Sequence, residues 1–293
     1  MASDLARVLA SMLVFAVVAG LIVGVAGLLG ATAVPSVPTD DTEPREYDVD
    51  GLYVERVDAE GVVDVDVEDP GVVLIDQAHD NALETGDLRK LTKALIAAGN
   101  EVRVADSTTT FDDELEDADA LVVIDPQTRY ASDRADAVAE FADGDGRLLL
   151  VGQPTRAEVV GFEIQTRESE ADGIANRLGF SFGTDYVYDM EANDGNHRNI
   201  QVQGTDVGLV EDIDEAYVYT TTYVTAADAE PLLVTSEQAQ RSEDRNPQQY
   251  TIAAATGSVM AIGDANFLTG DRYNVGDNEE LIAAIVTYLS DGG

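Results

Sequence analysis

Three short runs, VVLID (72–76), ALVVIDP (120–126) and RLLLVGQP (147–154), are apolar without interruption and then end in polar or turn-forming residues. A strand that is half solvated alternates apolar and polar residues. A strand that reads apolar throughout must be covered on both faces. Between these runs lie stretches of helical period. LETGDLRKLTKALIAAGNEV places Leu88, Leu91, Ala94, Leu95 and Ala98 on one helix face, with Gly99 as the stop. SDRADAVAEFADGDG carries Ala135, Val138 and Phe141 at the same period, with Ser132 as N-cap. EVRVAD supplies a further strand between the first two runs. Strand, helix, strand, helix with doubly covered strands predicts an α/β fold: a mostly parallel sheet, flanked by helices, joined by right-handed crossovers.

The pattern changes near residue 180. A short helix in EADGIANRLG ends at Gly179, and a β-rich insertion over about 180–225 follows, built around the turn-rich NDGNHRN (193–199). PLLVTS is a further β segment, and QYTIAAATGSVMAIGDANFL reads as two strands joined at Thr256-Gly257. GDNEELIAAIVTYLSDGG closes the chain as an amphipathic helix.

Charge narrows the function classes. The 293 residues include 57 acidic and 17 basic side chains, a net charge of −40, with Lys90 and Lys93 the only lysines. The acidity is spread along the whole chain, so it describes a surface. At molar salt the Debye length falls to about 3 Å and such a surface stops repelling itself. We expect a protein adapted to high salt, in which most carboxylates, Asp189 and Glu191 among them, solvate the surface. No basic patch exists to neutralise phosphates, so nucleic acid is not an expected partner. Cysteine is absent, which excludes disulfides, thiolate metal sites and a cysteine nucleophile.

Residues 8–34 form a charge-free apolar run, long enough at 1.5 Å per residue to cross a hydrocarbon core of about 30 Å. Residues 1–34 are therefore expected to be a single membrane anchor, with cleavage of a signal at about Ala33 as the alternative. Residues 35–50, which hold three prolines, read as a spacer. Residues 51–293 are the expected domain, outside the cytoplasm at the cell membrane.

In open parallel sheets, ligands bind beyond the carboxyl ends of the strands. That rule selects Asp76, His79 and Asn81 after the first run, Asp125 after ALVVI, and Gln153 in the Gly152-Gln153-Pro154 turn. It also selects Asp264 and Asn266 in GDANF, with Asn196, His197 and Arg198 of the NDGNHRN turn as a lid or wall. Each has a structural reading too. His79 can pair with Asp76 and cap the next helix, Asp264 can hold its loop through backbone amides, and Asp194-Gly195 is a hairpin signal. Neither a serine elbow, nor a phosphate-binding glycine loop, nor a local histidine pair for metal occurs, so no catalytic residue, metal or cofactor is assigned.

The segments VLIDQAHDN, LRKLTKALIAAGNEVR, DADALVVIDP, AVAEFADGDGRLLLVGQPTR, ANRLGFSFGTDYVYDMEANDGNHRNI and GDANFL…NEELIAAIVTYL together resemble a family of membrane-anchored proteins of unassigned function on the class I glutamine amidotransferase-like superfold. Similar domains occur in the gliding-motility auxiliary component of ABC transporters and in an intraflagellar-transport subunit, where the fold serves binding and assembly. True amidotransferases carry a cysteine nucleophile on a turn corresponding to VGQPTR; here Gln153-Pro154 stands there. A trehalose-utilisation-like family also has a strand-end histidine, as at His79. The resemblance implies a membrane-anchored, non-catalytic domain that binds a partner, such as an ABC-transporter-like membrane protein, or a small polar ligand. The alternatives are a hydrolase using Asp76, His79, His197 and Asp264, and a carbohydrate-binding domain with Tyr186, Tyr188 and Phe267 as stacking platforms.

Overall fold

The structure, a computed structural model, describes residue 63 and residues 65–160 and 163–290. The expected anchor and spacer lie outside the described residues. Among those residues no helix is long and apolar enough to cross a membrane.

The apolar runs form β1 (Val72–Asp76), β3 (Ala120–Ile124) and β4 (Arg147–Val151), with β2 (Glu101–Ala105) after α1 (Arg89–Ala97). β1 lies parallel to both β2 and β3, and β3 is parallel to β4. β15 (Val259–Ile262) then joins β4 in parallel, although it comes more than a hundred residues later in the chain.

Side-chain alternation explains why these strands are apolar throughout. Val73, Ile75, Val122, Ile124, Leu149 and Val151 enter one core with Leu91 and Leu95 of α1. Leu74, Leu121, Val123, Leu148 and Leu150 enter a second core on the other face, with Phe111, Ala135 and Val138. Those three come from α2 (Phe111–Glu116) and α3 (Ser132–Asp143). Full burial of each such aliphatic side chain contributes about 1.5–3 kcal/mol, so both helix layers are needed to hold the sheet.

The sheet is larger and more mixed than the sequence pattern suggests. It has nine strands, with β14 (Thr251–Ala255), β12 (Glu230–Val234), β9 (Asn199–Gly204) and β10 (Ala216–Tyr219) added beyond β15. Each of these four is antiparallel to its neighbour. Five parallel strands thus continue into four alternating ones. Part of the β-rich stretch is sheet, through β9 and β10. The rest forms small ribbons: β7 (Phe180–Phe182) pairs with β11 (Val224–Ala226), and β8 (Val187–Tyr188) pairs with β13 (Gln240–Arg241). A hairpin that the helical and strand runs do not announce, β5 (Arg156–Val160) with β6 (Glu163–Arg167), follows β4 directly.

Three local expectations change. α3 begins at Ser132 itself, its N-cap is Ala131, and no side chain caps it; the Ser132 hydroxyl accepts from Arg177 instead. The closing helix α5 (Asn278–Ser290) is buried nearly all round rather than amphipathic, because Leu281, Ile285 and Leu289 face the core while Asn278 and Ser290 are held by polar contacts. Lys90 is buried, its ammonium 3.8 Å from the centroid of the Tyr273 ring, so one of two lysines serves the interior. The helix stop at Gly99 holds, with φ of +98°. A 3-10 turn (Asn176–Leu178) extends the short α4 (Asp172–Ala175) up to Gly179, also at positive φ.

Candidate functional site

Because β1, β3, β4 and β15 are parallel neighbours, their carboxyl ends reach one edge of the sheet. The alternation through β14 and β12 brings the start of β9 to that same edge. Asp76, Asp125, Gln153, Asp264 and the turn holding His197 and Arg198 therefore share an edge. They do not form one cluster there. They divide into four.

The first cluster is Asp76 with His79. The Asp76 carboxylate accepts from His79 Nδ1 at 3.0 and 3.1 Å, from the Tyr130 hydroxyl at 2.5 Å, and from the Ala78 amide at 2.9 Å. The His79 ring stacks on Tyr130, centroids 3.5 Å apart, and meets Phe111 edge-on. Burial, then the charge and hydrogen bond of Asp76, push the Tyr130 hydroxyl well above its ordinary pKa, so it remains a donor. His79 is 1% exposed, and its Nε2 is buried without a hydrogen-bond partner. Nor does the pair cap a helix: α1 has Leu88 as N-cap, with no side-chain bond.

The second cluster surrounds Asp125, whose side chain is fully buried. Its backbone φ is +45° and that of Asp80, in the facing loop, is +51°. Two non-glycine residues held in the left-handed region store strain, which concentrates at binding and switch sites. Asp125 Oδ2 accepts from Arg156 Nη2 at 2.5 Å, and Arg156 Nη1 donates to Gln153 Oε1 at 2.9 Å. The two loops interlock. Asn81 Nδ2 donates to the Ile124 carbonyl, Gln127 Nε2 to the Asp125 carbonyl, the Ala82 amide to that same carbonyl, and the Gln127 amide to the His79 carbonyl. Three buried oxygens remain without a hydrogen bond: Asp125 Oδ1, Asn81 Oδ1 and Gln127 Oε1. Burial raises the Asp125 pKa above the ordinary carboxylate value, against the opposing pull of Arg156, Ser169 and Gln127.

The third cluster is structural. Asp264 accepts from the Tyr219 amide at 3.1 Å, the Asn266 amide at 3.0 Å and Asn266 Nδ2 at 2.7 Å. It ties the end of β15 to the end of β10. Burial raises its pKa despite these donors. Gly263 makes this approach possible: a Cβ there would lie 2.0 Å from the Thr222 carbonyl oxygen.

The fourth holds Asn196, His197 and Arg198 in a hairpin turn with Gly195 at positive φ. Asn196 and His197 are exposed. His197 meets Tyr188 edge-on, and the Arg198 guanidinium lies 4.4 Å from the Tyr186 ring centroid. The two histidines share no carboxylate, so the hydrolytic set of Asp76, His79, His197 and Asp264 is not assembled. Among the described residues no group of three or more His, Asp or Glu is placed to hold a metal. Phe267 is fully buried in the core and cannot serve as a stacking platform; Tyr186 and Tyr188 are half-buried. Asp189 is also not surface: it is 1% exposed and accepts from Ser236 and two backbone amides.

Sequence reasoning missed Arg156, Gln127 and Tyr130. Arg156 carried only a faint signal, as the first residue of the briefly alternating RAEV. Gln127 and Tyr130 carried none.

No family model matches the chain, and no curated protein matches it. Among solved structures it is similar to the mmIFT52 N-terminal domain, with a TM-score of 0.59 and 11% identity, over 75% of this chain and 98% of that one. It is also similar, with a TM-score of 0.45 and 8% identity, to a ThuA-like protein from Parabacteroides merdae, over 76% of this chain and 90% of that one. At such identities, what the chain shares with the mmIFT52 domain is its mixed α/β fold.

Proposed function

We propose that this is a membrane-anchored, non-catalytic domain of the class I glutamine amidotransferase-like superfold that binds a small polar ligand at the loops following β1 and β3. One observation carries the reading. Buried polar atoms are almost always hydrogen-bonded, yet Asp125 Oδ1, Asn81 Oδ1 and Gln127 Oε1 are not, in two loops that hold strained residues. A site completed by a ligand accounts for both. Gln153-Pro154 at the turn after β4 offers no nucleophile, which favours binding over acyl transfer. The anchor rests on the apolar run at residues 8–34.

The test is a thermal-shift panel of small polar compounds on the full-length chain and its Asp125→Asn variant. A ligand at a hundred times its Kd adds about 2.7 kcal/mol to stability. A compound that raises the Tm of the parent protein and not of the variant supports the reading; a panel that shifts both alike, or neither, defeats it.

A further inference from the structure

The chemistry of the Asp125 cluster is one-sided. Asn81 and Gln127 are oriented by their amide nitrogens, each spent on a backbone carbonyl, so the atoms left over are oxygens. Asp125 Oδ1 makes a third acceptor. With Asp125 Oδ2 and Gln153 Oε1, the four residues carry five side-chain acceptor oxygens, two of them on the buried carboxylate. The Arg156 guanidinium meets two of the five, and the Ser169 side chain also acts on the Asp125 carboxyl. The Arg156 side chain is one-third exposed, whereas the Asp125 side chain it pairs with is fully buried. It sits at the base of the β5–β6 hairpin, which among the described residues pairs only with itself, so Arg156 can swing away without breaking the main sheet.

We propose that this cluster is a recognition site for a compact organic cation of the guanidinium type, and that Arg156 is a resident mimic which the ligand displaces. The inference rests on the ligand-binding reading above. A guanidinium presents five N–H donors in a plane, which suits an acceptor-rich lining. Charge closes at the carboxylate as well: the ligand's guanidinium replaces the resident one on the same carboxylate, whereas a guanidinium added beside Arg156 would leave an uncompensated positive charge there. The chain's net charge of −40 also concentrates cations near its surface.

Agmatine and N-acetyl-arginine amide are the probes, titrated calorimetrically into the full-length chain and its Arg156→Ala, Arg156→Gln and Asp125→Asn variants, with circular dichroism to establish folding. Removing the mimic should tighten agmatine binding about tenfold or more, and Asp125→Asn should abolish it. Arg156→Gln retains a neutral donor and serves where the alanine variant is too unstable. Binding of agmatine alone assigns a free small molecule; binding of both probes extends the site to an arginine side chain of a partner. Equal affinity with and without Arg156, or binding that survives Asp125→Asn, overturns the proposal. If agmatine fails while a neutral amide or polyol binds in an Asp125-dependent way, the cation assignment falls and the ligand-binding reading stands. If nothing in the panel binds, both fall.

Discussion

Replacing Asp76 by alanine tests the claim that His79 belongs to the framework. The carboxylate accepts from three donors, and two of them, His79 Nδ1 and the Tyr130 hydroxyl, belong to side chains no more than 4% exposed. A hydrogen bond to a charged group contributes about 1.5–3 kcal/mol, and a buried donor left unmatched keeps its full desolvation cost. Two such losses sum to about 3–6 kcal/mol. Against a typical stability of about 5–15 kcal/mol this is a large fraction. Tyr130→Phe removes donor and bond together and leaves nothing unmatched except one carboxylate lone pair, so it should cost about 2 kcal/mol. Urea titration at constant salt, followed by circular dichroism, measures both. Urea is preferred because guanidinium is itself a salt and a candidate ligand. The midpoint should fall at unchanged slope. Where Asp76→Ala does not fold, Asp76→Asn keeps one acceptor and should lie between the two. A cost below about 1 kcal/mol for Asp76→Ala, or one no larger than that of Tyr130→Phe, refutes the reasoning.

The Asp264 carboxyl has a folded-state pKa raised by burial, so the folded protein holds its proton more tightly than the unfolded chain. Stability should therefore drop as pH rises from the ordinary carboxylate value of about 4 through the raised value. Asp264→Asn should lack that component of the slope, and urea midpoints measured across the acidic range read it directly. Gly263→Ala forces a Cβ onto the Thr222 backbone, which is itself bonded to Gly263, so a loss above about 3 kcal/mol is expected. Gly270→Ala, which meets open space, should move the Tm little. Phe267→Ala should cost about 3–5 kcal/mol as a core cavity and leave the affinity of any ligand bound at Asp125 unchanged; an affinity loss at constant fold would return Phe267 to the site.

How much of this was legible beforehand depends on the length scale of each signal. The parallel half was readable because a strand covered on both faces must be apolar at every position, and that is a local property of VVLID, ALVVI and RLLLV. The placement of Asp76, Asp125, Gln153 and Asp264 at one edge followed, since parallel neighbours end together. Their separation into clusters did not follow. Asp76 turns to Tyr130, Asp125 to Arg156, and Asp264 to the Tyr219 amide, across sequence separations of 54, 31 and 45 residues.

The sequence alone determined the layered α/β core, the acidic surface and the absence of a sulfur nucleophile, since periodicity and composition are carried by each segment in isolation. Only tertiary structure decided that the sheet continues into four antiparallel strands, that Asp189 and Lys90 are interior, and that Arg156 pairs with Asp125. Those outcomes depend on which donors meet which acceptors once distant segments pack. A carboxylate reads the same in the chain whether it ends in water or against a guanidinium.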